Sequence, residues 1–169
     1  MKSIDAIEKN QVVLLVVREN ANKTVLEICK KYSGEGLGIV TASNPAGFML
    51  QALERNKIES SKIMFIDCSS GEGSNTRQIV YTSGPDALTE LSISISQLLG
   101  SDSVQILLLD SISSLLIHNE EVTLARFLHD MVNKAHKAGK KLAMIILKKD
   151  NKGTLASVPL FCDAVVEVD

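Results

Sequence analysis

Tryptophan is absent from this chain, aromatic residues make up only 4% of it, and three prolines punctuate its 169 residues. A core built with so few rings has to be filled by branched aliphatics, and Ile, Leu and Val dominate the apolar runs. That composition suits the strands of a parallel sheet, which are covered on both faces. Long apolar runs are also missing. The longest, such as Val12 to Val17 and Ile106 to Leu109, fall far short of the ~20 residues that cross a bilayer. The N-terminus carries Asp5 early and no signal-type apolar segment, so a cytoplasmic location is expected and a membrane partner is not.

Cysteine pairing is absent too. Cys29, Cys68 and Cys162 are odd in number, widely separated and not in a Cys-x-x-Cys pair, which argues against a disulfide framework or a zinc site. They read as small buried hydrophobes. His118, His129 and His136 lack the i, i+4 spacing of metal ligands and read as surface positions. Ser113 and Ser114 lack the Gly-x-Ser-x-Gly elbow of a serine hydrolase. Nor is there an excess of positive charge: the formal net charge is −2, which gives no general attraction to nucleic acid. The local exception is Lys134, Lys137, Lys140, Lys141, Lys148, Lys149 and Lys152, which reads as a helix C-terminus offset by lysines and then a solvated loop, with a phosphate-contacting or partner-binding edge, as in a DNA-associated accessory protein, as the alternative.

What is present is a regular alternation of apolar runs and amphipathic stretches. Strands are expected at Gln11 to Val17, Gly36 to Thr41, Lys62 to Asp67, Val104 to Leu109, Leu142 to Leu147 and Ala164 to Val168, with a short apolar stretch at Gln78 to Thr82. Helices are expected at Lys23 to Lys31, with Val25, Leu26, Ile28 and Cys29 inward, and from near Asn44 through Phe48, Met49, Ala52 and Leu53. Pro85 to Leu99 alternates like a strand at Leu91, Ile93 and Ile95, yet its length and the spacing of Leu88, Leu91, Ile95 and Leu98 favour a helix stopped by Gly100. The clearest helix is Glu120 to Ala138, with Leu124, Phe127, Leu128, Met131 and Ala135 as its buried stripe and Gly139 closing it. A polar loop, Lys148 to Thr154, joins the last two strands. The expected fold is a single α/β domain over 1–169, three layers α/β/α around a mainly parallel central sheet.

Such sheets bind ligands at the carboxyl ends of their strands, often on the turn after the first one. Here that turn runs Val17-Arg18-Glu19-Asn20-Ala21-Asn22-Lys23-Thr24. It has the position, length and Lys-Thr ending of a phosphate-binding G-x-x-x-x-G-K-[ST] loop, and neither glycine. Asn22 in the second glycine position tolerates left-handed dihedrals, whereas Val17 in the first does not. Glu19 puts a carboxylate where a phosphate would approach. Asn20, Asn22, Lys23 and Thr24 are the candidate phosphate contacts, and Thr24 with Asp110 the candidate Mg²⁺ ligands. Asp110 closes the apolar strand Val104 to Leu109, the form of a Walker B element.

The stretch Ile106 to Leu116, ILLLDSISSLL, resembles the Walker B region of KaiC-like proteins in the RecA superfamily. Arg126-Phe127-Leu128, Gly139 before a strand, Gly153 in a loop and the ending Cys162 to Val168 agree with that family in order, as does Tyr81 to Pro85 ahead of a helix. The resemblance implies a RecA-like fold, Mg-dependent ATP binding, hydrolysis, and rings or filaments with nucleotide at subunit interfaces. It also implies acids after the second strand to activate water, where this chain has Ser43-Asn44-Pro45. Neither Ser nor Asn holds a proton as a carboxylate does. The expectation is therefore a degenerate, catalytically reduced member without catalytic residues, binding ATP and Mg²⁺ weakly if at all. It would act as a regulatory or interaction module through a protein partner or further copies of itself. The alternative is an active but atypical ATPase.

Overall fold

The computed structural model describes residues 2–169. In chain order it contains α1 (Lys2–Lys9), β1 (Val12–Val17), α2 (Asn22–Tyr32), β2 (Leu37–Thr41), α3 (Ala46–Arg55), β3 (Met64–Asp67) and β4 (Ile79–Tyr81). These are followed by α4 (Leu88–Leu99), β5 (Ile106–Asp110), α5 (Ile112–Leu116), α6 (Glu121–Ala138), β6 (Lys141–Leu147) and β7 (Ala164–Val168). The strands form one seven-stranded sheet in the order β4-β3-β2-β5-β6-β1-β7. Every neighbouring pair is parallel.

The aliphatic strands explain the layering. All six residues of β1 are buried, and they alternate between two cores. Val13, Leu15 and Val17 join Ile4 and Ile7 of α1, Ile28 of α2 and Leu53 of α3 on one face. Val12, Leu14 and Val16 meet Leu91 and Ile95 of α4, Leu115 of α5 and Leu128 and Met131 of α6 on the other. Side chains alternate across a strand, so a strand apolar at every position has to be covered twice. The fold is α/β with helices on both faces, as expected.

Helix α6 follows its sequence closely. Leu124, Phe127, Leu128, Met131 and Ala135 are buried, and Gly139 ends the helix at φ 65°, a left-handed conformation that favours glycine. Pro85 to Leu99 is helical from Leu88, with Leu91, Ile95 and Leu99 buried.

Several details differ from expectation. Helix α1 has no counterpart in the sequence reading, because eight residues with Ile4 and Ile7 as the main apolar contacts give too short a periodic signal. Helix α5 was hidden inside an apolar run. The supposed polar loop from Lys148 holds two 3-10 segments, Lys148–Asp150 and Gly153–Phe161, and the second buries Leu155 and Val158. Leu26 is only partly covered, and Phe48 is 65% exposed. Cys29 and Cys68 are fully buried, and burial pushes each thiol up to about 12. His118, His129 and His136 are exposed. No helix among the described residues is long and apolar enough to cross a membrane.

Four of the lysines from residue 134 onward have more specific partners than a helix dipole. Lys134 pairs with Asp130 at 3.1 Å and bonds Ser92 of α4. Lys140 Nζ donates to the carbonyls of Ser101 and Val104. Lys148 pairs with Glu167 at 3.1 Å. Lys141 Nζ reaches the carbonyls of Ile7, Glu8 and Asn10, so a residue of β6 caps the C-terminus of α1. Lys141→Met, which keeps the aliphatic stem, should lower stability by about 1–3 kcal/mol through the orphaned carbonyls. Hydrogen exchange should then speed up selectively at the amides of α1.

Candidate functional site

The carboxyl ends of β2 and β5 lie side by side because Thr41 pairs with Asp110. The turn after β2 is tied to that end: the Asp110 carbonyl accepts from the N–H of Ala42 at 2.7 Å and of Ser43 at 3.3 Å. Ser43 Oγ then approaches Asp110 Oδ1 at 3.3 Å, Ser111 Oγ at 3.4 Å and Ser114 Oγ at 2.7 Å. Ser111 and Ser114 are 3.1 Å apart. Three hydroxyls and one carboxyl thus form a closed cluster.

The serines after Asp110 are also structural. Ser111 caps α5, its Oγ accepting from the Ser114 N–H, and Ser113 Oγ accepts from the N–H of Leu147 at the end of β6. The capping role was readable, since a serine before an apolar helical run is an N-cap signal.

Asp110 is 4% exposed. Burial lifts its carboxyl from an ordinary 3.8 to about 6, and the Ser43 hydroxyl partly opposes the rise. A second buried carboxylate, Asp67 at the end of β3, was missed in the sequence. It accepts from the N–H of Ala46 at 2.8 Å and from both N–H and Oγ of Ser69 at 2.9 and 2.7 Å, capping α3 from a neighbouring strand. Nothing in the local sequence places it there, because the contact spans 21 residues.

The turn after β1 lies two strands away from Asp110, across β6, or roughly 10 Å at ordinary strand spacing. Asn22 is the first residue of α2, so it has right-handed helical dihedrals and the left-handed tolerance expected of it is not used. Its N–H is taken by Asn20 Oδ1 at 2.8 Å. Arg18 points to Asp169, with Nε to Oδ1 at 3.5 Å, an exposed pair of small energetic weight. Asn20, Asn22 and Lys23 line one cavity of about 620 Å³ together with Glu27, Lys30 and Asp169. Asp110 lines a different one, of about 410 Å³, between α2 and α3, and Asn22 is common to both. Thr24 is buried and lines neither. Glu72 lies in a third, shallower cavity with Asp67 and Tyr81, away from Asp110.

This architecture has a counterpart among solved structures. A KaiC-like protein from the hyperthermophilic archaeon Pyrococcus horikoshii OT3 superposes with a TM-score of 0.64 over 94% of this chain and 72% of that one. The fold is KaiC-like. Sequence identity is 13%, so the likeness is one of fold. No protein-family model matches the chain, and no curated protein does.

Asp110→Asn tests the buried carboxyl at the end of β5. The raised native value means protons bind the folded state more tightly, so the stability contribution is full below 3.8 and is lost as pH rises through about 6. At pH 7.5 the variant should therefore be more stable than the parent by on the order of 2–3 kcal/mol. That advantage should vanish below about pH 4 in urea melts.

Proposed function

We propose that this chain is a catalytically reduced RecA/KaiC-like domain that serves as a regulatory or protein-interaction module. The observation that carries the reading is that groups the chemistry would need, the Asn22 N–H and the Ser43 hydroxyl, are already bonded within the chain. Asn20 Oδ1 holds the Asn22 N–H that a phosphate would need. At the end of β2, Ser43 stands in the region where KaiC-like enzymes carry acids, and its hydroxyl is bound into the cluster around Asp110. A serine hydroxyl does not take up a proton near neutral pH.

In this reading the loop after β1 is poorly suited to Mg·ATP. Lys23 and Asp110 line neighbouring cavities that meet at Asn22, and the one beside Lys23 also carries the carboxylates Glu27 and Asp169 together with Lys30. Thr24 is buried and lines neither cavity. ATP affinity, where retained, is weak in this reading.

Two measurements test it. Phosphate release from ATP with Mg²⁺ should not rise above a protein-free blank. Saturating Mg·ATP should shift the melting temperature by less than about 1 °C, whereas a ligand at 100 times its Kd adds about 2.7 kcal/mol, several degrees in a domain of this size. Turnover that disappears in Lys23→Ala, or Mg-dependent stabilisation lost in Asp110→Ala, would establish the ATPase instead.

A further inference from the structure

We propose that the groove between α2 and α3 is a docking site for a partner protein, and that it takes a short segment with an arginine at one end, apolar residues in the middle and an acid at the other. The inference rests on the preceding reading that Asp110 is not committed to a Mg-nucleotide.

The groove encloses about 410 Å³, within the range of ligand-binding cavities. Val25 and Leu26 of α2 face Met49, Ala52 and Leu53 of α3 across it. Phe48 stands at its rim, 65% exposed, the largest ring this aromatic-poor chain leaves in solvent. A ring continuous with an apolar cavity gives a partner a contiguous surface to remove from water.

The two ends carry opposite charge. Asp110 closes one end, and its side chain has a single hydrogen bond, the 3.3 Å contact from Ser43. No cation lies within ion-pair distance of it among the described residues. Arg55 closes the other end and has no ion pair among the described residues either. A buried carboxylate without a cation is costly, and a guanidinium suits it better than an ammonium, because it is less strongly hydrated and can bond both oxygens.

Length favours a chain segment. From Phe48 to Arg55 the helix rises about 10 Å, the span of roughly three extended residues. A single small amine would reach Asp110 and leave Phe48 and Arg55 uncovered. A free phosphate or nucleotide would meet a carboxylate at the closed end. The complementary pattern is thus basic, apolar, apolar, acidic.

The test is an amide-resolved NMR titration of the full ¹⁵N-labelled chain with the capped peptide Ala-Arg-Leu-Leu-Glu-Ala, and with Ala-Glu-Leu-Leu-Glu-Ala as the cation-free control. The first should bind with a Kd near about 1 mM, a realistic affinity for so short a probe, and move the amides of Leu26, Phe48, Ala52 and Arg55. The control, and the first peptide against Asp110→Asn or Phe48→Ser, should bind roughly tenfold more weakly, as expected for one charge-assisted contact. Phe48 is exposed and Asp110→Asn keeps the side-chain shape, so both variants should remain folded. Equal binding of the two peptides, or no response in the groove up to about 10 mM, overturns the proposal while the preceding reading stands. Mg·ATP moving the same amides and displacing the peptide overturns both.

Discussion

Thr41 lies opposite Asp110 in the pairing of β2 with β5, and the upper edge of the molecule follows from that register. Both strands are buried on both faces, so inside–outside alternation cannot choose their alignment as it does in a half-exposed sheet. Their polar carboxyl ends can. Drawing Asp110 one step deeper would bury a carboxylate among aliphatics with no donor in reach, a penalty far above any gain in apolar contact. Once the ends are aligned, the Asp110 carbonyl receives the N–H groups of Ala42 and Ser43. The turn is pinned there, and α3 leaves it capped by Asp67 from the other side. One wall of the groove is therefore set by two neighbouring strands and not by α3 itself.

The start of α2 obeys a similar constraint. A helix N-terminus has orphan N–H groups and a positive dipole end, and in phosphate-binding loops an anion answers both. Here a neutral amide oxygen from Asn20 answers the N–H of Asn22. Lys23 adds a positive charge at the wrong end of the dipole, and Glu27 and Asp169 around the same cavity supply the compensating charge. At this helix start a side chain of the chain itself takes the place an anion would fill. The turn does not need glycine: α2 starts at Asn22 without any left-handed residue.

Much of the scaffold was legible because it rests on period and composition. Aliphatic runs gave the strands, and the stripe from Leu124 to Ala135 gave α6, since both signals persist over enough residues to exclude alternatives. Short elements carry no such signal. α1 has two turns, and its C-terminus is held by Lys141 of β6, a contact that no local window contains. The site was less legible for the same reason. Lys23 and Asp110 could be named from the sequence, but that β6 lies between the strands leading to them depends on the strand order. Phe48 looked like a core residue from its spacing on α3, and its exposure depends on the gap that α2 leaves beside it.

The two buried carboxylates flanking β2 show which part of this edge the chain completes by itself. Asp67 is 1% exposed and receives three hydrogen bonds between 2.7 and 2.9 Å, so its burial is matched by donors and its role is to hold α3. Asp110 is 4% exposed and receives one, at 3.3 Å, which leaves its ionised form poorly solvated and its affinity for a proton raised. Asparagine or serine would satisfy Ser43 equally well at that position and would spare the fold the desolvation. Nothing inside the chain needs the charge. A group that weakens the isolated fold at neutral pH and lines an apolar groove would be stabilised by a cation entering that groove. The physical case for a cationic occupant thus rests on the contrast between two aspartates placed alike and solvated differently.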